Sequence, residues 1–338
     1  MRKHLLILTL LLVLIMVFSS LGIGANYDWR PNKPVNLIVP WGAGGSTDRS
    51  ARAAAEVVSE ALGVKIVVVN QPGSSGAVGT NNALTAPKDG YTWTAGAVKD
   101  LALYKAQGLL DTVLEDWYIY VHVAMPSVIS VNVNSPYKDF GDLLAAFKAK
   151  PGAIKVATAG INSAGATAID QVAKYTGITY NHVTYDGGNP AVIAVVSGEC
   201  EVVPQLSVEQ VDMIRAKRLR PLAVLSDKPL EIAGVSQPVP PITNWIPDFE
   251  ASPSYFGIFI PKGVPKEVIY TLNEIWDGVV MKSDTLKKWA QENAVIFDPA
   301  YGAQAVTKAF PQIQLDAWLK WESGDLVINP VKVGIPRP

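Results

Sequence analysis

Val39-Pro40-Trp41-Gly42-Ala43-Gly44-Gly45-Ser46-Thr47-Asp48 carries an apolar strand through a glycine-rich corner into a helix. On the strand side, Val35 to Pro40 is apolar and β-branched. On the helix side, Ser46 to Leu62 repeats Ala51, Ala54, Val57, Val58, Ala61 and Leu62 at the three-to-four spacing of one buried face, and Gly63 stops it. Gly42, Gly44 and Gly45 let the backbone fold back closely. The unpaired N–H groups of the helix start, with the Ser46 and Thr47 hydroxyls, then converge at the positive end of the helix dipole. Such a corner attracts an anion, and Trp41 inside it reads as a wall of the site. Asp48 reads either as part of the corner or as a first-turn acid favoured by the same dipole.

Beyond this corner the pattern repeats. Val64 to Val69 reads as a strand, Asn70 to Gly73 as a turn, Gly76 to Ala86 as a helix and Tyr91 to Ala97 as a strand. Tyr118 to Val133 is two extended apolar runs broken at Met125-Pro126-Ser127, a passage from one half to the other. A second series follows: helix Phe140 to Lys150, strand Ile154 to Ala159, helix Gly165 to Thr176, strand Asn181 to Tyr185, helix Pro190 to Ser197, strand Glu201 to Gln205 and strand Leu222 to Ser226. The proline-rich stretch 238–253 carries Trp245, Ile246 and Phe249, so it reads as a packed return path rather than a linker. Tyr255 to Ile260 would cross back, followed by helices at Pro265 to Lys282, Asp284 to Asn293 and Gly302 to Trp321. Strands alternating with helices, in a chain that crosses twice between its halves, predict an α/β protein of two doubly wound mixed sheets forming two lobes with a cleft between them. The expected division is 26–125 with 254–338 as lobe 1 and 126–253 as lobe 2.

The second series contains a second corner. Strand Ile154 to Ala159 leads into Gly160-Ile161-Asn162-Ser163-Ala164-Gly165 and a helix, so two helix starts are expected to face each other across the cleft. Opposed donors suit a solute with a carboxylate at each end, each charge-assisted bond contributing roughly 1.5–3 kcal/mol.

Met1 to His4 is a short basic head, and Leu5 to Phe18 is an unbroken apolar run. At 1.5 Å per residue the run spans about 21 Å, short of the ~30 Å hydrocarbon core, so residues 1–25 read as a secretory signal cut after Ala25. The mature chain is expected outside the cytoplasm, in the periplasm or its equivalent, as a soluble monomer. Cys200 is the single cysteine, so no internal disulfide is available and apolar cores must hold the fold. With 29 Lys and Arg against 30 Asp and Glu, and the basic residues scattered, nucleic acid is excluded as a partner. Lys217-Arg218-Leu219-Arg220 is the one tight basic group and reads as a solvated turn before a strand. His122 and His182 lie in separate strands without ligand spacing, so no metal is expected, and no cofactor. Trp276, Trp289, Trp318 and Trp321 read as core or lobe packing.

In order along the chain, Pro34 to Gly45 with Asp48 and Arg52, Asn70-Gln71-Pro72-Gly73 with Gly76 and Gly79, Asp89-Gly90-Tyr91-Thr92, Pro151-Gly152, Tyr185-Asp186-Gly187-Gly188 and Leu219 to Val224 resemble the substrate-binding proteins of tripartite tricarboxylate transporters, the TctC or Bug family. The resemblance covers nearly the whole mature chain. It implies a two-lobed fold of the type II periplasmic-binding kind that traps a small organic acid and presents it to a large and a small membrane permease subunit, holding the carboxylate largely through backbone N–H groups and water. By position it assigns Trp41, Gly42, Ala43, Gly44, Gly45, Ser46, Thr47 and Asp48 in lobe 1, Gly160, Ile161, Asn162, Ser163, Ala164 and Gly165 in lobe 2, and Gln205 as a weaker addition. The chain departs from the family at Trp41, where Phe is commoner, at Asn162, where Gly is usual, at Ala166, where His is common, and at Glu201, where Asp is usual. The resemblance therefore leaves the acid open.

Two other readings compete: the same fold feeding a signalling sensor, and an exported dinucleotide enzyme. For the enzyme, Gly42-Ala43-Gly44 has Thr47 where a third glycine belongs, and the second strand ends in Asn70 where a ribose-binding acid belongs. No phosphate-binding lysine loop or serine elbow is present.

Overall fold

The β-branched run Val35–Val39 forms β1, and its side chains alternate between two cores, as a strand buried on both faces requires. Val35, Leu37 and Val39 meet α1 (Ser46–Leu62) on one face, while Ile38 meets Ala77, Leu101 and Phe259 on the other. This computed structural model describes residues 27–338. The expected signal segment 1–25 lies outside the described residues.

The remaining strands are β2 (Ile66–Asn70), β3 (Thr92–Ala97), β4 (Trp117–Met125), β5 (Val128–Asn132), β6 (Lys155–Thr158), β7 (Asn181–Thr184), β8 (Val202–Val203), β9 (Leu219–Val224), β10 (Ser254–Pro261) and β11 (Ile296–Tyr301). They form two sheets, one ordered β11-β4-β10-β3-β1-β2 and the other β7-β6-β8-β5-β9. In each, three parallel strands run in the order second, first, third, and an antiparallel strand from a segment that passes between the sheets follows. Both sheets are mixed and carry helices on both faces, the two-lobed periplasmic-binding fold. β4 and β10 lie side by side from Ser254↔Met125 to Pro261↔Trp117, so both passages leave the first sheet at one place.

The other helices are α2 (Ala77–Thr85), α3 (Val98–Leu103), α4 (Phe140–Ala149), α5 (Ala164–Thr176), α6 (Gly188–Ser197), α7 (Ser207–Arg215), α8 (Lys266–Gly278), α9 (Asp284–Glu292) and α10 (Gly302–Glu322). In the second sheet, Ile129, Val131 and Val156 face a core with Leu143, Phe147 and Ile169, while Val128, Ala157 and Val203 face one with Val192, Val195 and Val211. A smaller apolar seam joins the halves: Ala97, Val123, Met125 and Phe256 of the first sheet pack with Leu206 and Val208.

The structure corrects several expectations. Helices α3 and α7 and strand β11 stand where the sequence reading assigned no element. The single helix expected over 265–282 is α8 followed by a 3-10 turn, Val280–Lys282, the break falling at Val279 (φ −120°, ψ −60°). The strand expected over 201–205 shortens to two residues. In the basic group 217–220, Leu219 and Arg220 belong to β9, and Arg220 donates to the carbonyls of Val133, Ser135 and Tyr137. The return path is packed: Ile242, Ile246 and Phe249 join a core, and Trp245 meets Phe140 edge-on at 5.5 Å.

Candidate functional site

Each parallel strand ends on the same side of its sheet, and the residues that follow every one of those ends except that of β2 line one cavity. Trp41, Gly42, Gly45, Ser46 and Thr47 follow β1; Ala97, Lys99 and Asp100 close β3; Ala159, Asn162, Ser163 and Ala164 follow β6; Gly187 and Gly188 follow β7; Gln205, Leu206 and Glu209 follow β8; Phe256 of β10 closes the floor. Carboxyl ends of parallel strands, where two halves meet, are where this class of fold places its ligands.

Nine of the fifteen residues singled out from the sequence line this cavity: Trp41, Gly42, Gly45, Ser46, Thr47, Asn162, Ser163, Ala164 and Gln205. Six do not, and their contacts explain why. Ala43 is exposed at the tip of the corner. Gly44, at φ +78°, turns the chain, and its carbonyl accepts from Asn189 Nδ2 at 2.8 Å. Asp48 is buried beneath the corner, accepting from Gly44 N and Asn70 Nδ2 at 2.9 Å each and from Arg52 Nε. Gly160 (φ +112°) turns the second corner. The Ile161 side chain is exposed and its carbonyl accepts from Lys320 Nζ at 2.9 Å. Gly165 abuts Gln205, where a Cβ would stand 2.7 Å from the amide. Asp48 thus pins the corner to Asn70 and Arg52, a role different from the dipole-favoured first-turn acid that the sequence offered as its alternative. Burial works against its charge, but the bonds from Arg52, Gly44 and Asn70 outweigh that and hold it below the usual carboxylate range.

Three polar side chains of the lining were missed, Glu209, Lys99 and Asp100, with two glycines beside them. Glu209 is buried, and Oε1 accepts from Ser46 N at 3.2 Å. Gln205 turns its amide nitrogen to Glu209 Oε2 (3.1 Å) and its oxygen to Ala159 N (2.6 Å). Burial raises the Glu209 carboxyl, and the Ser46 N–H and hydroxyl pull against that rise. Gln205 at the end of β8 was the available signal: four residues on, a helix returns a side chain to the same face. Lys99 and Asp100 lie just past the carboxyl end of β3, a position that also marks a cleft. Lys99 pairs with Asp316 of α10, and burial pushes Asp100 up to about 6. Gly187 and Gly188 were noted only as part of a motif.

Bonds across the cleft hold the two halves together. Besides Ser46–Glu209 and Gly44–Asn189, Arg49 donates to Val208 O (2.7 Å) and pairs with Asp212 (3.2 Å), while within its own half it donates to Asn293 Oδ1 (2.5 Å). Asn162 Nδ2 reaches Ser75 Oγ at 3.4 Å. The histidines stand apart from the cavity: His122 is buried in β4, and His182 in β7 meets Thr158 Oγ1 at 2.6 Å. Among the described residues no group of three or more His, Cys, Asp or Glu is placed to hold a metal ion, and no helix is long and apolar enough to cross a membrane.

Two mixed sheets of one topology, closing over a cavity at their strand ends, define a two-lobed solute-binding protein. The sequence model described as the tripartite tricarboxylate transporter family receptor (TctC) matches residues 50–318, and the chain belongs to that family. It is a periplasmic solute-binding protein serving a membrane transporter, and its family is one of transport receptors rather than catalysts. A protein of Pseudomonas sp. strain P51, described as the UPF0065 protein in the tcbD-tcbE intergenic region, is 30% identical over 301 residues, 87% of this chain and 86% of that protein. A solved structure described as a periplasmic transporter has a TM-score of 0.76 at 26% identity, covering 88% of this chain and 98% of its own. A TctC solute-binding protein from Polaromonas, solved without ligand, has a TM-score of 0.63 at 27% identity, covering 88% and 100%.

Proposed function

We propose that this protein captures a small organic acid in the cavity between the corners 41–47 and 162–164 and hands it to the membrane permease subunits of a tripartite tricarboxylate-type transporter. The observation that carries this reading is that loops from both sheets, each opening a helix, line one cavity. Among the described residues the N–H groups of Thr47 and Asp48 at one helix start and of Ala164 and Gly165 at the other meet no acceptor, the arrangement by which helix starts bind anions. Proteins of the same fold from Rhodopseudomonas palustris, 22% and 19% identical, were solved with adipate and with malate. In this reading residues 26–125 and 254–338 move as lobe 1 and 126–253 as lobe 2, with a hinge near 123–127 and 253–256, after residues 1–25 have directed export.

The test is a thermal-unfolding screen of the purified protein against mono-, di- and tricarboxylates, amino acids and aromatic acids. A solute at a hundred times its Kd adds about 2.7 kcal/mol, a shift of several degrees. Mass spectrometry of small molecules released on denaturation is expected to identify the same class. No shift across the panel, with nothing released, overturns the proposal.

A further inference from the structure

Helix α10 carries two buried stripes, each repeating every fourth residue. Ala305, Ala309, Ile313 and Ala317 form the apolar one and pack into a core of the first sheet. Gln312, Asp316 and Lys320 form the other, and a buried polar stripe requires a partner for each member. Gln312 lines a small cavity with Thr167 and Gln171 of α5, and Asp316 pairs with Lys99. Lys320, 5% exposed, donates from Nζ to the Ile161 carbonyl at 2.9 Å. That bond runs from a helix of the first half to the second corner, which Asn162 Nδ2 ties to the first half again at Ser75 Oγ.

The direction of the contact matters. The peptide joining Ile161 to Asn162 is planar and trans, so its N–H points away from its carbonyl. Lys320, on the carbonyl side, stands outside the cavity lining, whereas Asn162 belongs to it, and the Asn162 N–H meets no acceptor among the described residues. Gly160, left-handed at φ +112°, leaves this peptide free to swing when nothing holds it. We propose that Lys320 is a positioning residue for solute capture: as the halves close it takes the Ile161 carbonyl and so turns the Asn162 N–H toward the solute. This rests on the reading of the cavity as the solute site. The bond needs a donor rather than a charge. Burial works against the Lys320 ammonium and the Asp316 carboxylate supports it, while N–H donors remain in either protonation state.

The experiment compares the mature protein with Lys320→Met, which is close in length but lacks a donor, and Lys320→Arg, which keeps donors. Without solute, backbone order parameters from 15N relaxation at Ile161 and Asn162 are expected to fall from about 0.85 in the wild type to below about 0.6 in Lys320→Met, and to recover in Lys320→Arg. Values over 41–47 and 302–322 are expected to hold; a fall spread along 302–322 means a loosened helix and overturns the inference. With succinate, glutarate and citrate as probes, stopped-flow tryptophan fluorescence is expected to show release about tenfold faster in Lys320→Met at an unchanged association rate, the weight of one hydrogen bond. Unchanged order at 161–162, or equal release of a probe that binds, also overturns it. Should Lys320→Met fail to fold, Lys320→Gln, one bond too short to reach the carbonyl, takes its place. If none of the three probes binds, the order parameters decide alone, and only a blank across the wider panel of acids removes the organic-acid reading.

Discussion

A methyl group added at Gly188 would meet all three atoms of the Glu209 carboxylate within 2.3 Å, and Glu209 is held from the far side by Ser46 and Gln205. Gly188→Ala is therefore expected to cost about 1–3 kcal/mol of stability by overpacking, read as a lower midpoint in urea unfolding; an unchanged midpoint would show that Glu209 is free to move. Gly45 is the contrasting case. Its φ of −73° suits any residue, and a Cβ there meets nothing closer than Gly42 O at 3.5 Å. Gly45→Val is expected to leave the midpoint nearly unchanged while weakening solute binding about tenfold, because the larger side chain projects at the cavity wall; equal affinity in that variant would remove the corner from the site. Asp100 supplies a pH signature. Burial lifts its folded carboxyl to about 6, so between the unfolded value near 4 and about 6 the folded chain retains a proton that the unfolded chain has lost. Its contribution to stability is thus greatest below that window and is lost as pH rises through it. Asp100→Asn should flatten this slope, and midpoints of the two proteins that stay parallel from acid to neutral pH would contradict it.

Helices α3 and α10 meet through Lys99 and Asp316, which are 4% and 0% exposed. Lys99→Met strands a buried carboxylate and is expected to cost about 3–5 kcal/mol, most of it recovered when Asp316→Leu is added; a double variant no more stable than the single one would refute the pairing. Such helices also show how far elements were legible in advance. Helix α1 was predicted from Ser46 to Leu62, the span observed, because Gly45 and the left-handed Gly63 mark both ends and the apolar face between them is uninterrupted. Helix α3 is six residues long, too short for a period to register. Helix α7 buries Ser207, Glu209 and Gln210 along with its apolar residues, so its inward face has no apolar stripe. Strand β11 contains Asp298-Pro299, which argues against a strand, yet it lies at the sheet edge and shifts register between Phe297 and Ala300, where proline is tolerated. The site followed the same rule: both glycine corners were visible, and Glu209 was hidden because the helix that delivers it was hidden.

The two halves are clasped by Arg49, whose guanidinium ties α1 to Val208 and Asp212 across the cleft and to Asn293 within its own half, beside the apolar seam at Val123, Met125 and Leu206. Arg49→Ala is expected to leave both sheets intact but to favour the open form, giving a larger radius of gyration in small-angle scattering without solute and weaker solute binding. A radius matching the wild type under those conditions would refute a clasp at this position. The strand orders carry a last implication, for assembly. The five-stranded sheet is complete within residues 128–224, whereas the six-stranded sheet takes four strands from before residue 126 and two from after residue 253. A chain emerging amino end first therefore finishes its inner half before its outer one. Until β10 arrives, β3 carries a row of unpaired backbone groups along one side, an interval in which a chaperone has the most to shield.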